Sequence, residues 1–309
     1  MMAMAHARLA GMQEPRPTTL IVSPRLSRHV GAELVLASET FQYTGSFKFR
    51  AAWRVVSTVP HPRVLTASSG NFGQALAYAC TLAGKGCTVV MPANSAQVKI
   101  DAVRAFGGAV ELIDTGRVSR AERVQQLAEA DPEAYLASAY DDALVIEGNS
   151  SLGEELAALP LDDVVAPVGG GGLTAGLITG LRRAGSQAAV VGAEPLLAND
   201  AARSLREGRV VVNEREPQTL ADGARTVCLG ARNWAVLREG LAGIVEVPEE
   251  AIREAVRLLF GLANLKAEPT GALGLAALLC EPARFRGRRV CCVVSGGNVD
   301  PALYRELIA

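Results

Sequence analysis

Histidine is scarce in this 309-residue chain: His6, His29 and His61 are scattered, and no H-E-x-x-H, G-x-S-x-G or G-x-x-x-x-G-K-[ST] pattern occurs. Zinc hydrolase, serine hydrolase and P-loop chemistry are therefore poor readings. The six cysteines (Cys80, Cys87, Cys228, Cys280, Cys291, Cys292) include no C-x-x-C pair, and most sit in apolar segments where a thiol acts as a small hydrophobe. A reduced, cytoplasmic setting is expected. Charge of one sign is lacking too, since 31 basic residues meet 32 acidic ones for a net charge of -1. That balance offers no footprint for nucleic acid or an anionic membrane. The longest uncharged run, Val164 to Leu181, contains Pro167 and four consecutive glycines, which excludes it as a membrane span. The opening MMAMAHARLAGM is broken by His6 and Arg8, so no export signal is expected.

What is present is a folded composition, 49% hydrophobic and 20% charged, on a chain long enough to bury a substantial core. From about Val64, short apolar runs alternate with longer amphipathic ones: VLTA then GQALAYACTLAG, CTVVMP then AQVKIDAVRAFG, AVELID then the stretch from Arg120. The rhythm resumes with VVAPV, TAGLITGLRRAG and AAVVGAEP; VEVP then precedes a helix over about Glu249 to Leu265, and RRVCCVVS a last one. Repeated βα units predict an α/β fold with a mainly parallel sheet wrapped by helices. The acidic DDALVIEGNSSLGEEL reads as the crossover between two such blocks.

In a doubly wound sheet, ligands bind where loops leave the carboxyl ends of strands, and four groups of loops stand out. In TGSFKFRAA, Lys48 is one of only four lysines and is flanked by Phe47 and Phe49. It is either a surface lysine at a helix start or an amine whose pKa an apolar setting lowers toward nucleophilicity. In TASSGNFGQALA, Ser68 and Ser69 either cap a helix or, with Asn71, face an anion. In VGGGGLTAG, the four glycines from Gly169 to Gly172 let backbone N–H groups approach a phosphate, although residues 169–175 also fit G-x-G-x-x-[GA], with Glu194 ending the next strand. That second fit is the basis of an alternative reading as a nicotinamide (NAD(P)) dehydrogenase. In the fourth group, AEPLLAND, EPTGA and VSGGNVD, the carboxylates of Glu194 and Asp200 with the Ala198 carbonyl form either a solvated acidic turn or a hard-oxygen site for Mg²⁺, Mn²⁺ or Ca²⁺. Ser295, ending a buried strand, must hydrogen-bond either backbone or ligand.

Taken in order, TGSFKFRAA, SSGNFGQALA, VGGGGL, AEPLLAND, TLADGART, EPTGA and VSGGNVD resemble the serine racemase and serine/threonine dehydratase family of fold type II pyridoxal phosphate enzymes, from about Leu20 to Asp300. The resemblance implies a two-lobed, tryptophan synthase β-like homodimer. Residues 1–55 plus 144–309 would form the large cofactor-binding lobe and residues 56–143 a small lobe closing over substrate. Lys48 would carry pyridoxal phosphate, with Phe47 beside the ring and Asn71 at its 3′-oxygen. Gly169, Gly170, Gly171 and Gly172 would hold the phosphate, Ser295 would meet the pyridine nitrogen, and Gly223, Glu268 and Gly296 would complete the cofactor site. Ser68, Ser69, Asn71, Phe72 and Tyr140 would meet substrate, Ser69 as the catalytic hydroxyl opposite Lys48, and Glu194, Ala198 and Asp200 would bind the divalent cation. A neutral serine at the pyridine nitrogen disfavours transamination. The implied activity is β-elimination from a hydroxy amino acid such as threonine, serine or a larger analogue, giving a 2-oxo acid and ammonia. Amino-acid racemisation is the alternative.

Several positions depart from the family pattern. Phe72 stands for the usual histidine, Ala51 for glycine, Thr19 for proline, Tyr140 for Asn or Phe, and Asn149-Ser150 for Gln-Gly. Phenylalanine cannot donate the hydrogen bond that histidine can, so an apolar wall and a preference for a hydroxy amino acid with a larger or more apolar side chain than serine are expected.

Overall fold

A run such as Asp163–Pro167, apolar after its first residue, suits a central strand covered on both faces, and in the computed structural model it is buried along its whole length. The structure describes residues 14–68, 70–95 and 97–309. Ser69, expected to be catalytic, lies outside the described residues. Among those described, ten strands run in order: β1 (Thr19–Val22), β2 (Glu33–Ser38), β3 (Arg63–Ala67), β4 (Gly86–Pro92), β5 (Ala109–Ile113), β6 (Ala134–Leu136), β7 (Asp163–Pro167), β8 (Ala189–Pro195), β9 (Leu241–Val247) and β10 (Arg289–Val294). They form two sheets, one of six strands ordered β1-β2-β10-β7-β8-β9 and one of four ordered β5-β4-β3-β6. Every pairing is parallel except β1 with β2.

The mainly parallel α/β architecture agrees with the sequence reading, and the crossover segment is a helix, Ala143–Leu156. Three strands lie outside that reading. β1 and β2 precede the βα rhythm and flank the helix Pro24–Val30, and β6 is only three residues long. The helix expected to reach Leu265 stops at Ala263, because Asn264 takes a left-handed conformation (φ 51°) that ends it.

The four-stranded sheet shares its core with the helix Lys48–Thr58. Phe49, Ala51, Ala52, Val55 and Val56 from that helix pack with Val64, Phe72, Leu76, Val89 and Met91. This helix is also tied to the other sheet. Arg50, 2% exposed, grips Glu39 at the end of β2 through two bonds of 2.7 and 2.9 Å and reaches Glu155 on the Ala143–Leu156 helix at 2.6 Å. The carboxyl ends of β3, β7 and β10 lead into the segments at Ser68, Gly169 and Ser295, and the loop after β2 leads to Lys48. All of these residues line one cavity of about 800 Å³.

Candidate active site

Lys48 opens the helix Lys48–Thr58, so one part of the surface-lysine reading holds: it is at a helix start. Its amine nevertheless turns inward. Nζ donates to the Ala139 carbonyl at 2.6 Å and lies 5.0 Å from the centre of the Phe47 ring and 5.6 Å from that of Phe72. Burial among these groups lowers the amine to about 8. Phe72 belongs to the core of the four-stranded sheet and also lines the cavity.

Across the cavity, the loop after β7 runs through Gly169 to Gly172 into the helix Gly172–Arg183. Two of its glycines are structurally required. Gly171 has φ +90°, and a Cβ on Gly170 would collide with the Tyr140 ring. Tyr140 thus forms a wall resting on this loop and lines the same cavity. The loop ends at a helix N-terminus, a setting that favours an anion.

Ser68 shows the plainer of its two roles. Its hydroxyl accepts from the backbone of Gly73 at 3.2 Å and Gly70 at 3.4 Å, capping the start of the helix Asn71–Leu82. Asn71 is held at both ends. Its amide donates to Glu268 at 2.8 Å and its carbonyl accepts from Asn298 at 2.8 Å. Glu268 is buried, and burial first, then the charge of Asp222, pushes its carboxyl up to about 8. Gly223 donates its N–H to Thr270 Oγ1 at 3.0 Å beside the same cavity. Ser295 follows β10 directly with its side chain buried at the cavity, and its carbonyl accepts from Phe47 N–H at 2.9 Å. Gly296 stands behind the lining, bridged to Ser46 and accepting from Glu268 N–H at 3.1 Å.

The proposed cation ligands lie elsewhere. Glu194, Ala198 and Asp200 do not line the cavity. Glu194 ends β8 and accepts from Ala201 N–H at 2.9 Å and Ala202 N–H at 2.8 Å, which anchors the first turn of the helix Asp200–Glu207. Burial, then the charge of Asp200, raises its carboxyl well above the usual range, and burial lifts Asp200 to about 6. Ala198 is buried in the intervening turn. Among the described residues no group of three or more His, Cys, Asp or Glu side chains could hold a metal. Glu194 also lies off the cavity that the glycine loop lines, whereas the dehydrogenase alternative required the two to share one site.

The sequence did not mark the cations at the cavity. Lys99 pairs with Asp222 at 2.7 Å, Arg120 pairs with Glu216 at 3.4 Å, and Arg225 donates to the Thr219 carbonyl at 2.9 Å. Arg225 lies within TLADGART, where nothing singles it out, and no motif signals Lys99 or Arg120, because they come from helices whose approach only the tertiary fold sets. Asn233 was missed for the same reason. It lies on the helix Ala231–Gly240, and its amide donates to the carbonyls of Tyr140 at 3.0 Å and Gly170 at 2.6 Å.

The residues suit pyridoxal phosphate. A buried amine with lowered proton affinity faces a glycine cradle that side chains would fill, and a neutral hydroxyl closes the end of β10. Residues 12–296 match the family described as pyridoxal-phosphate dependent enzyme. The chain is 34% identical over 310 residues to an L-threo-3-hydroxyaspartate ammonia-lyase of Pseudomonas sp, covering 98% of this chain and 96% of that protein. It is also 34% identical over 295 residues to the serine racemase of Mus musculus, covering 92% and 86%. The solved structure of a T.th. threonine deaminase superposes with a TM-score of 0.88 at 40% identity, covering 96% of this chain and 97% of that one.

Proposed function

Because the chain belongs to the pyridoxal-phosphate dependent enzymes, we propose that Lys48 and the glycine loop serve an ammonia-lyase that removes water from a hydroxy amino acid, threonine, serine or a larger analogue, to give a 2-oxo acid and ammonia. The observation that carries this reading is the Lys48 amine, lowered to about 8 inside the cavity that the Gly169 to Gly172 loop also lines. Pyridoxal phosphate, when bound, supplies an electron sink for bonds broken at the substrate α-carbon. The chain supplies the rest. With a pKa near 8, roughly one Lys48 amine in ten is neutral at pH 7, so Nζ has a lone pair able to take the α-proton. Gly169 to Gly172, at a helix N-terminus, would hold the phosphate, and Ser295 would meet the pyridine nitrogen without carrying charge. Asn71, fixed by Glu268 and Asn298, would present its amide at the ring edge, and Tyr140 would close the wall and limit water.

For the substrate, Phe72 supplies the apolar wall near Lys48, and Arg225, which donates to the Thr219 carbonyl, is a cation on the lining that a second carboxylate could use, Lys99 and Arg120 being engaged by Asp222 and Glu216 of the same lining. Together with the named activity of the Pseudomonas relative, this favours 3-hydroxyaspartate over serine. Racemisation is the second reading, supported by the similarity to serine racemase; the donor role that the resemblance implies for Ser69 falls on a residue outside the described ones. Residues 1–55 plus 144–309 and residues 56–143 are the two lobes we propose, the first boundary falling within the helix Lys48–Thr58. A hard divalent cation at Glu194, Asp200 and the Ala198 carbonyl belongs to the same proposal, supported by the buried Asp200 Oδ2, which lacks a hydrogen-bond partner. A homodimer and a cytoplasmic setting are carried with it. No helix among the described residues is long and apolar enough to cross a membrane.

The test is to load the purified chain with pyridoxal phosphate and to measure keto acid, ammonia and enantiomer release from serine, threonine and 3-hydroxyaspartate isomers. Keto acid release, fastest from 3-hydroxyaspartate and slowest from serine, is expected. Failure to bind the cofactor, or a preference for serine over every larger substrate, would overturn the corresponding part of the proposal.

A further inference from the structure

The glycine loop is held from behind by a single turn of helix. Gly170 O accepts two donors, the Asn233 amide at 2.6 Å and the Gly230 N–H at 3.1 Å. The same Asn233 nitrogen donates to the Tyr140 carbonyl at 3.0 Å. Asp141, the residue after Tyr140, caps this helix, accepting from the N–H groups of Ala231 and Arg232 at 3.0 Å each. Asn233 is wholly buried, and a Cβ on Gly171 would come within 3.0 Å of Asn233 Cβ, so loop and helix leave no slack between them.

The consequence follows from the peptide plane. In a trans peptide the carbonyl of one residue and the N–H of the next point in opposite directions. Fixing Gly170 O toward Asn233 and Gly230 therefore turns the Gly171 N–H to the other side, and the residues on that side line the cavity. Gly171, at φ +90°, has no side chain to hold the turn by packing, so the restraint has to come from outside the loop.

We infer that Asn233 is a positioning residue for the cofactor phosphate: by holding the Gly170 and Tyr140 carbonyls it sets the Gly171 N–H toward the anion and locks the Tyr140 wall onto the loop. This rests on the cofactor reading above. Asn233 does not line the cavity, so its loss would act through the loop. Leucine in its place keeps the bulk but frees Gly170 O from one of two donors, and the peptide can rotate.

The experiment compares two ligands on the full chain, pyridoxal phosphate and pyridoxal, which lacks the phosphate, by absorbance titration, with the ³¹P resonance of the bound cofactor recorded in parallel. Asn233→Leu is expected to weaken pyridoxal phosphate about ten-fold, to leave pyridoxal within two-fold of wild type, and to move the ³¹P resonance toward that of the free cofactor. Should Asn233→Leu not fold, Asn233→Asp, the same shape without the amide donor, is titrated in its place with the same expectation. Equal losses for both ligands would mean general damage to the site and would overturn the inference, as would unchanged affinities with an unchanged resonance. If wild type binds neither ligand, the cofactor reading itself falls, a result visible without any variant.

Discussion

Lys48 illustrates how a half-buried side chain with its amine turned inward carries a stability cost. Its amine is at about 8 in the folded chain and near its ordinary value of 10.5 when unfolded. Between those values the unfolded chain binds more protons, so stability rises with pH through this window, and the full cost of charging the buried amine is present below pH 8. Lys48→Met should therefore make the cofactor-free chain more stable at pH 7, by about 1–3 kcal/mol, with the advantage gone near pH 10.5. Thermal denaturation of both proteins at pH 7, 8.5 and 10 checks this, and the same variant should give no visible absorption band with pyridoxal phosphate. Glu268 runs in the opposite sense. Its carboxyl is raised from 4.5 to about 8, so the folded chain binds the extra proton, and stability falls as pH rises through that range. Glu268→Gln should flatten the pH dependence of Tm between pH 5 and 8 while keeping the acceptor for Asn71; an unchanged slope would contradict it. Lys48 and the glycines could be read from local motifs because each sits in a short, chemically distinctive loop. The state of Glu268 could not, since Asn71 reaches it across 197 residues of sequence that only the fold brings together.

At the scale of elements, the helix bearing Lys48 is tied to the end of β2 and to the helix Ala143–Leu156 by Arg50 and its two carboxylate partners. Removing one member of a buried ion pair leaves the other uncompensated, which typically costs about 3–5 kcal/mol. Glu39→Ala should therefore lower the denaturation midpoint sharply, and Arg50→Lys, which cannot keep two parallel bonds to Glu39, should recover only part of wild-type stability. The turn joining β8 to the helix Asp200–Glu207 makes a separate prediction. If a cation is held there, chelator should lower Tm and Mg²⁺ or Mn²⁺ restore it in wild type but not in Asp200→Ala; a Tm indifferent to chelator would leave Glu194 with its capping role alone. Much of this level was legible. β3, β4, β7, β8 and β10 appear as apolar runs in the sequence, because parallel strands buried on both faces lose polar alternation, and the edge strands β5 and β9, which keep exposed positions, are read from their place in the βα rhythm. β1 and β2 escaped because they stand outside the repeated βα unit, and the capping role of Glu194 escaped because a carboxylate near a turn reads equally well as ligand or cap.

Over the whole molecule, the cavity lies between the two sheets, and two ion pairs span it. Lys99 and Arg120 lie on the helices Gln97–Ala105 and Arg120–Ala130, which accompany the four-stranded sheet, and they reach Asp222 and Glu216 beyond β8. Their side chains are about one-third to one-half exposed, so each pair contributes at most about 1 kcal/mol and salt screens it. Lys99→Ala should thus leave the global Tm nearly unchanged but speed amide hydrogen exchange in residues 219–225. A large Tm loss without faster local exchange would place Lys99 in the general scaffold instead.

The position of β10 has a consequence for how the protein is made. This strand is near the end of the chain yet sits between β2 and β7 in the middle of its sheet, and the residues just beyond it hold Phe47, Ser46 and Asn71. A nascent chain emerging from the ribosome has translated Lys48 and the glycine loop long before anything joins them. Until Arg289–Val294 leaves the exit tunnel, β2 and β7 present open edges to each other with no partner between. Competence to take up a cofactor is therefore acquired late and all at once, and a chain released before residue 289 should be both colourless and prone to aggregate.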